Sequence, residues 1–290
     1  MRNRCWFALL LTAYTISMSS QEPPSSTSPR KGIPAGTNRR FEYLRRPFDA
    51  NVENVGPYFQ GHDVEAIYKR LVTAKDALKK EEFETAAEFE KRKETTASRP
   101  ILGSLTTSST FAFRLPMASE GSTDGWTAEY DADGQAWTIA VEPSHTTFVE
   151  SDRRELDTLN LKETLLSNRN YAGTNAFGAR RNVESVSIEV YGVAFRPLSK
   201  LTIEYGGAPM PPATAKQLKP HLRGLLVCTL EEPVLLRHFH GHVPTIDDPF
   251  ESVTEEKYLN IQLQQFWVFD AQSGRVLIKL KPTSGVPTEP

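Results

Sequence analysis

The residues best suited to chemistry lie in the pentapeptide His238-Phe239-His240-Gly241-His242. A neutral imidazole is a nitrogen ligand for zinc and its first-row neighbours. In an extended strand His238, His240 and His242 project to one side. Residues two apart are separated by about 6.7 Å, so adjacent imidazoles can converge on one ion. The outer pair lies about 13 Å apart and can share an ion only if Gly241 bends the strand. Asp247 or Asp248, after a turn at Pro244, could complete such a site. This reading gives a metal-dependent hydrolase centred on His238, His240 and His242, with zinc as the candidate ion. The same alternation also describes a polar face at a sheet edge, and a working metal site needs an outer shell of partners as well.

Other groups point less far. Cys228 could serve as a nucleophile with a distant histidine, but Leu225 to Leu230 surrounds it with apolar neighbours, and a buried cysteine behaves as a small hydrophobe. Asp131-Ala132-Asp133-Gly134 has the acidic look of a calcium loop, yet its glycine comes too early for that spacing, and a tight turn accounts for it. The segment from Tyr171 to Gly178 suits a binding loop built on Tyr171, Asn175 and Arg180, although glycines there also serve simply to turn the chain. The chain carries no GxSxG, HExxH or Walker loop.

The elements that must hold these residues can be read from periodicity. Asp63 is a helix N-cap, and Val64, Ile67, Tyr68, Leu71 and Val72 follow at helical spacing. Thr85-Ala86-Ala87-Glu88 is a capping box opening a second helix, which runs to about Glu94 and is barred by Pro100. The period then changes to two. Thr110 to Leu115 reads as a strand. Trp126 to Tyr130 and Gln135 to Val141 read as a hairpin with one apolar face, in which Tyr130 pairs with Gln135 and Ala128 with Trp137. Val186, Ile188 and Val190 alternate, then the phase slips to Tyr191, Val193 and Phe195, which implies a bulge around Gly192. Leu201 to Tyr205 follows as a strand. Pro211-Pro212 opens a short helix, and Leu225 to Leu230 forms a buried strand. A last hairpin pairs Asp270 with Arg275, Phe269 with Val276 and Trp267 with Ile278. Both of its faces are apolar, so it belongs inside the domain with layers on either side. The pattern predicts an α+β fold: a mainly antiparallel β-sheet domain with two N-terminal helices and one further short helix.

Two blocks carry a resemblance. Glu82-Phe83-Glu84-Thr85-Ala86-Ala87-Glu88-Phe89-Glu90-Lys91-Arg92 resembles the EFETxxEFxxR helix of exported bacterial proteins of unknown function, and Asn170 to Ala179 resembles a loop of the same group. The resemblance implies export from a bacterium and a mixed helix–strand domain. It implies no catalytic residues.

Export is also read directly from the N-terminus. Arg2 and Arg4, the apolar run from Trp6 to Ile16 and the small residues around Ser19 have the three zones of a secretory signal peptide, here residues 1–19. The run is too short for a spanning helix, which needs roughly 20 apolar residues, and no later stretch could span a bilayer. Cleavage removes Cys5 and leaves Cys228 alone, so no internal disulfide is available. It also removes two arginines, taking the net charge from −2 to −4, which argues against nucleic acid as a partner.

Residues 20–56 read as a disordered or loosely docked linker. Its arginines (39, 40, 45 and 46) and aromatics (Phe41, Tyr43 and Phe48) would either touch an acidic envelope polymer or dock on the domain. A single domain over 57–282 and a flexible tail over 283–290 complete the expected organisation. The expected function is a non-enzymatic envelope or secreted protein, periplasmic or extracellular, that binds an envelope protein or polymer or supports an assembly. The metal-dependent hydrolase is the alternative.

Overall fold

The computed structural model describes residues 42–76, 81–97, 99–117, 125–149, 153–174, 176–197, 201–205 and 210–282. The expected signal peptide (1–19), the linker up to residue 41 and the tail (283–290) lie outside them. The fold is α+β and mainly antiparallel. Helices α1 (Val64–Asp76) and α2 (Ala86–Ala97) come first, and α3 (Pro212–Leu218) falls late. The strands are β1 (Phe111–Leu115), β2 (Gly125–Asp131), β3 (Ala136–Glu142), β4 (Ser144–Val149), β5 (Arg153–Thr174), β6 (Arg180–Phe195), β7 (Leu201–Tyr205), β8 (Leu222–His242), β9 (Phe250–Asp270) and β10 (Val276–Leu280). The larger sheet runs β1-β8-β9-β6-β5-β4, with β10 also paired to β9, and β2-β3-β7 form the smaller one. Among these strands β6 and β9 pair in parallel and the other pairs are antiparallel.

Strand β9 is the axis of the molecule. Its C-terminal half is buried on both faces, as continuous apolar strands are when layers lie above and below. Phe266 and Val268 join the main core with α1 and the smaller sheet, while Trp267 and Phe269 enter a second core on the other face. The layer over that second core is the segment expected to be linker. Leu44, Phe48, Val52, Val55 and Phe59 pack there. Phe48 meets Trp267 edge-on at 5.2 Å. Leu44 and Phe48 therefore dock on the domain, as one of the two readings of this segment expected, and the packing reaches back past Pro57. Phe48 is buried, and such burial of a phenylalanine stabilises by about 2–3 kcal/mol, which a loose linker would forgo.

Several local expectations match the structure. The Asp63 carboxylate accepts the Ala66 N–H at 3.1 Å and starts α1. The Thr85 hydroxyl accepts the Glu88 N–H at 3.2 Å while Glu88 accepts the Thr85 N–H at 3.0 Å. Pro211-Pro212 does open α3. Val72, expected on the buried face of α1, is exposed, because it sits about 90° around the helix from the centre of the Val64–Leu71 stripe.

Register departs from expectation in three places. In the β2–β3 hairpin Tyr130 faces Trp137 and Ala128 faces Ile139, a slip of two residues that leaves the faces unchanged. The four-residue turn is displaced by one position, from 131–134 to 132–135, because Asp131 accepts the N–H groups of Asp133 and Gly134, and Gln135 takes a positive φ of 50°. In the last hairpin Phe269 faces Val276 as expected, but a bulge then places Ile278 opposite Val268 instead of Trp267. The Asp270 carboxylate there binds the turn, accepting from Gln272 N–H, Ser273 N–H and the Ser273 hydroxyl. The bulge foreseen at Gly192 lies across the ladder: Asn160 pairs with Gly192 and Lys162 with Tyr191, so Leu161 of β5 is the extra residue.

The strand expected to end at Leu230 continues to His242. Pairing with β9 breaks between Leu230 and Leu235, a stretch that contains Pro233, and then resumes. A proline cannot donate to a ladder, so an interruption is required there. Beyond it β8, β9, β6 and β5 extend away from the core as an arm of four strands. Leu165, Leu166, Phe177, Phe239, Val243 and Val253 are exposed on this arm. Among the described residues, no helix is long and apolar enough to cross a membrane.

Candidate functional site

The arm positions the histidines. His238 stands directly opposite Glu256 in the β8–β9 ladder, His240 opposite Thr254 and His242 opposite Ser252. Alternation puts these six residues on one face of the arm. The other face carries Arg237, Phe239, Glu255 and Lys257, where Lys257 binds Glu189 and Arg237 binds Glu255.

The three histidines do not act as one set. Nδ1 of His238 lies 3.0 Å from Oε2 of Glu256, and Nδ1 of His240 lies 3.7 Å from Oε1 of the same carboxylate. One donor atom from each of His238, His240 and Glu256 falls within 4.8 Å of the others. His242 turns away: its Nε2 pairs with Asp248 at 3.0 Å, and its ring stacks on Phe250 at 6.2 Å. Asp248, considered as a fourth ligand, is thus committed to His242. The expected triad of His238, His240 and His242 becomes a group of two histidines and one glutamate.

Glu256 is only 13% exposed at the side chain, against 35% for His238 and 53% for His240. The carboxylate is therefore the inner member and the imidazoles shield it. The edge of Phe148, from β4, packs against His238 with ring centres 6.2 Å apart, which closes the group on its inner side. Sequence reasoning missed Glu256 because nothing in Thr254-Glu255-Glu256-Lys257 says which glutamate faces His238. Only the ladder register does.

The expected binding loop does not converge. Tyr171 pairs with Val183 and Arg180 with Thr174, so the two side chains leave opposite faces of the β5–β6 hairpin. Asn175 lies outside the described residues.

Cys228 is fully buried, and burial pushes its thiol well above the ordinary range, so it stays protonated and inert. His62, which sequence reasoning passed over, is buried. Its Nδ1 accepts the Ala112 N–H at 2.8 Å and its Nε2 donates to the Arg46 carbonyl at 2.9 Å. Burial lowers its pKa, against the raising effect of its backbone hydrogen bonds. Its role is to close the free edge of β1. Gly61 beside it has a φ of +70°, and a side chain there would collide with the Ala112 carbonyl.

A cleft bounded by Tyr43, Gln60, His62, Asp63, Arg114 and Lys162 lies apart from the histidine group. A second, smaller one is bounded by Trp137, Met210, Val268 and Ile278. Comparison with known protein families, with curated protein sequences and with solved structures finds no match.

Proposed function

We propose that this chain is an exported, non-enzymatic binding protein that engages an envelope partner protein through its projecting β-arm. The observation that carries the reading is the arm itself. Its distal strands leave Leu165, Leu166, Phe239, Val243 and Val253 exposed, with Phe177 at the hairpin tip 95% exposed. Leu165 lies on the histidine face and Phe239 and Val253 on the other, and large apolar side chains left exposed on a projecting sheet suit a protein–protein contact. The pairing of β8 with β1 stops at Cys228 and that of β5 with β4 at Thr158, so the distal parts of both strands extend past these neighbours. A partner strand could add there by main-chain hydrogen bonding. The acidic balance of the chain disfavours a nucleic acid, and the N-terminal segment supports export.

The hydrolase reading draws on the histidine–glutamate group alone. That group stands on an open strand face, whereas hydrolysis calls for a concave site that excludes water. The clefts just described are lined by other residues.

Site-specific photo-crosslinking tests the reading. A photoreactive phenylalanine analogue replaces Phe177, Phe239 or, as a control off the arm, Phe83, in cells that naturally make the protein. The expected result is one discrete protein adduct from positions 177 and 239 and none from 83. The same adducts from all three positions, or none from the arm, would refute it. A self-adduct accompanied by a dimer in sedimentation would replace the partner with a second copy.

A further inference from the structure

We propose that His238, His240 and Glu256 form a binding site for a divalent transition-metal ion of the zinc class. The site stands independently of the partner reading, since it can be tested with zinc alone.

The donor set is the first argument. Two imidazole nitrogens and a carboxylate oxygen are ligands that zinc and its neighbours accept, whereas calcium and magnesium prefer all-oxygen surroundings. Geometry is the second. Zinc–ligand bonds of about 2.0–2.1 Å at tetrahedral angles place donors roughly 3.3 Å apart. Oε2 of Glu256 already lies 3.0 Å from Nδ1 of His238, and Oε1 of the same carboxylate 3.7 Å from Nδ1 of His240. The widest separation, within 4.8 Å, closes by small side-chain rotations of the half-exposed His240.

The fold supplies the third argument. His238 and Glu256 are fixed as direct cross-strand partners, and His240 is the next residue on the same face. The backbone presents all three without any loop having to order, so little entropy opposes ligation. Glu256 is the least exposed of the three, and its carboxylate reaches one oxygen toward each imidazole. Metal would convert this bridging arrangement into a clamp between β8 and β9 on the arm. Three protein ligands leave a fourth position, which water or a donor from another molecule can take.

His242 is excluded on structural grounds. Its ring is held by Asp248 and Phe250, and it lies too far along the strand from His238 to share an ion. This separates the present site from any general affinity of a histidine-rich strand.

The test is isothermal titration of the tag-free, metal-stripped full chain with zinc sulfate at pH 7.5, with cobalt substitution as a spectroscopic readout. The expected result is saturable binding of one ion per chain and a visible ligand-field band on cobalt loading. His240→Ala and Glu256→Gln should each weaken zinc by at least about tenfold, because each removes a direct ligand. Glu256→Gln is the sharper variant, since it keeps a hydrogen-bond acceptor for the histidines and removes only the anionic ligand. His242→Ala and Asp248→Asn should change affinity by less than about twofold, being outside the site. Circular dichroism of each metal-free variant checks that it is folded. No saturable zinc binding by the folded wild-type chain would overturn the proposal. So would a loss in His242→Ala equal to that in His240→Ala.

Discussion

Replacing His62, a buried residue at the outer edge of the sheet, with alanine should cost this protein more stability than its edge position suggests. The imidazole completes the outer edge of β1. His62 N–H donates to the Ala112 carbonyl at 2.7 Å, and Nδ1 takes the Ala112 N–H in return at 2.8 Å. Nε2 then donates to the Arg46 carbonyl, tying the segment before α1 to the sheet. Alanine leaves the buried Ala112 N–H without an acceptor, at about 1–3 kcal/mol. It also loses the Arg46 bond, about 1 kcal/mol since that residue is exposed. The ring's edge contacts with Phe111 and Phe113, at 5.4 and 6.1 Å, add about 1 kcal/mol. The sum is about 3–5 kcal/mol.

The same geometry fixes a pH dependence. Burial disfavours the charged imidazolium and holds the His62 pKa below the ordinary 6.5, against the raising effect of its backbone hydrogen bonds. The unfolded chain then binds the proton first. The stabilisation is complete above the ordinary imidazole range and is lost as pH falls through the lowered folded value. The slope cannot exceed about 1.4 kcal/mol per pH unit for one proton. Urea denaturation followed by tryptophan fluorescence at pH 7.5 and 5.5 measures both effects. Wild type should weaken on acidification and His62→Ala should weaken less. His62→Gln, which offers one donor and one acceptor without titrating, should recover part of the loss and show the flatter profile. A cost below about 1 kcal/mol, or equal acid sensitivity in wild type and His62→Ala, would refute the reasoning.

Thr85→Ala should cost α2 about 1 kcal/mol, the usual value of a lost N-cap. Because the residues of α2 are mostly exposed, the loss should appear as faster amide exchange within the helix rather than as a shifted global midpoint, and unchanged exchange would refute it. Cys228 should react with a thiol reagent only after denaturation, since it is wholly buried and its thiol is held protonated; rapid labelling of the native chain would refute that.

Local rules were legible from the residues. Asp63 and Thr85 cap their helices through atoms at most three residues away, so composition and spacing suffice. Strand alternation correctly placed His238, His240 and His242 on one face, and the two-sided apolar run of β9 announced layers above and below. What could not be read was which residues meet across strands. The β2–β3 register moved by two because Asp131 and a positive φ at Gln135 displaced the four-residue turn by one position. The segment around Phe48 looked like linker because its few apolar residues have no period of their own. It becomes a layer only when Trp267 and Phe269 present a face for it to cover.

The histidine group shows the division most clearly. The sequence by itself determined that imidazoles would line one side of a strand, because side chains alternate whatever the strand packs against. It could not determine that His238 and His240 would share Glu256 while His242 turned to Asp248. That depends on where the β8–β9 ladder resumes after the break at Pro233, and so on a register that brings together His238 and Glu256, 18 residues apart in the chain.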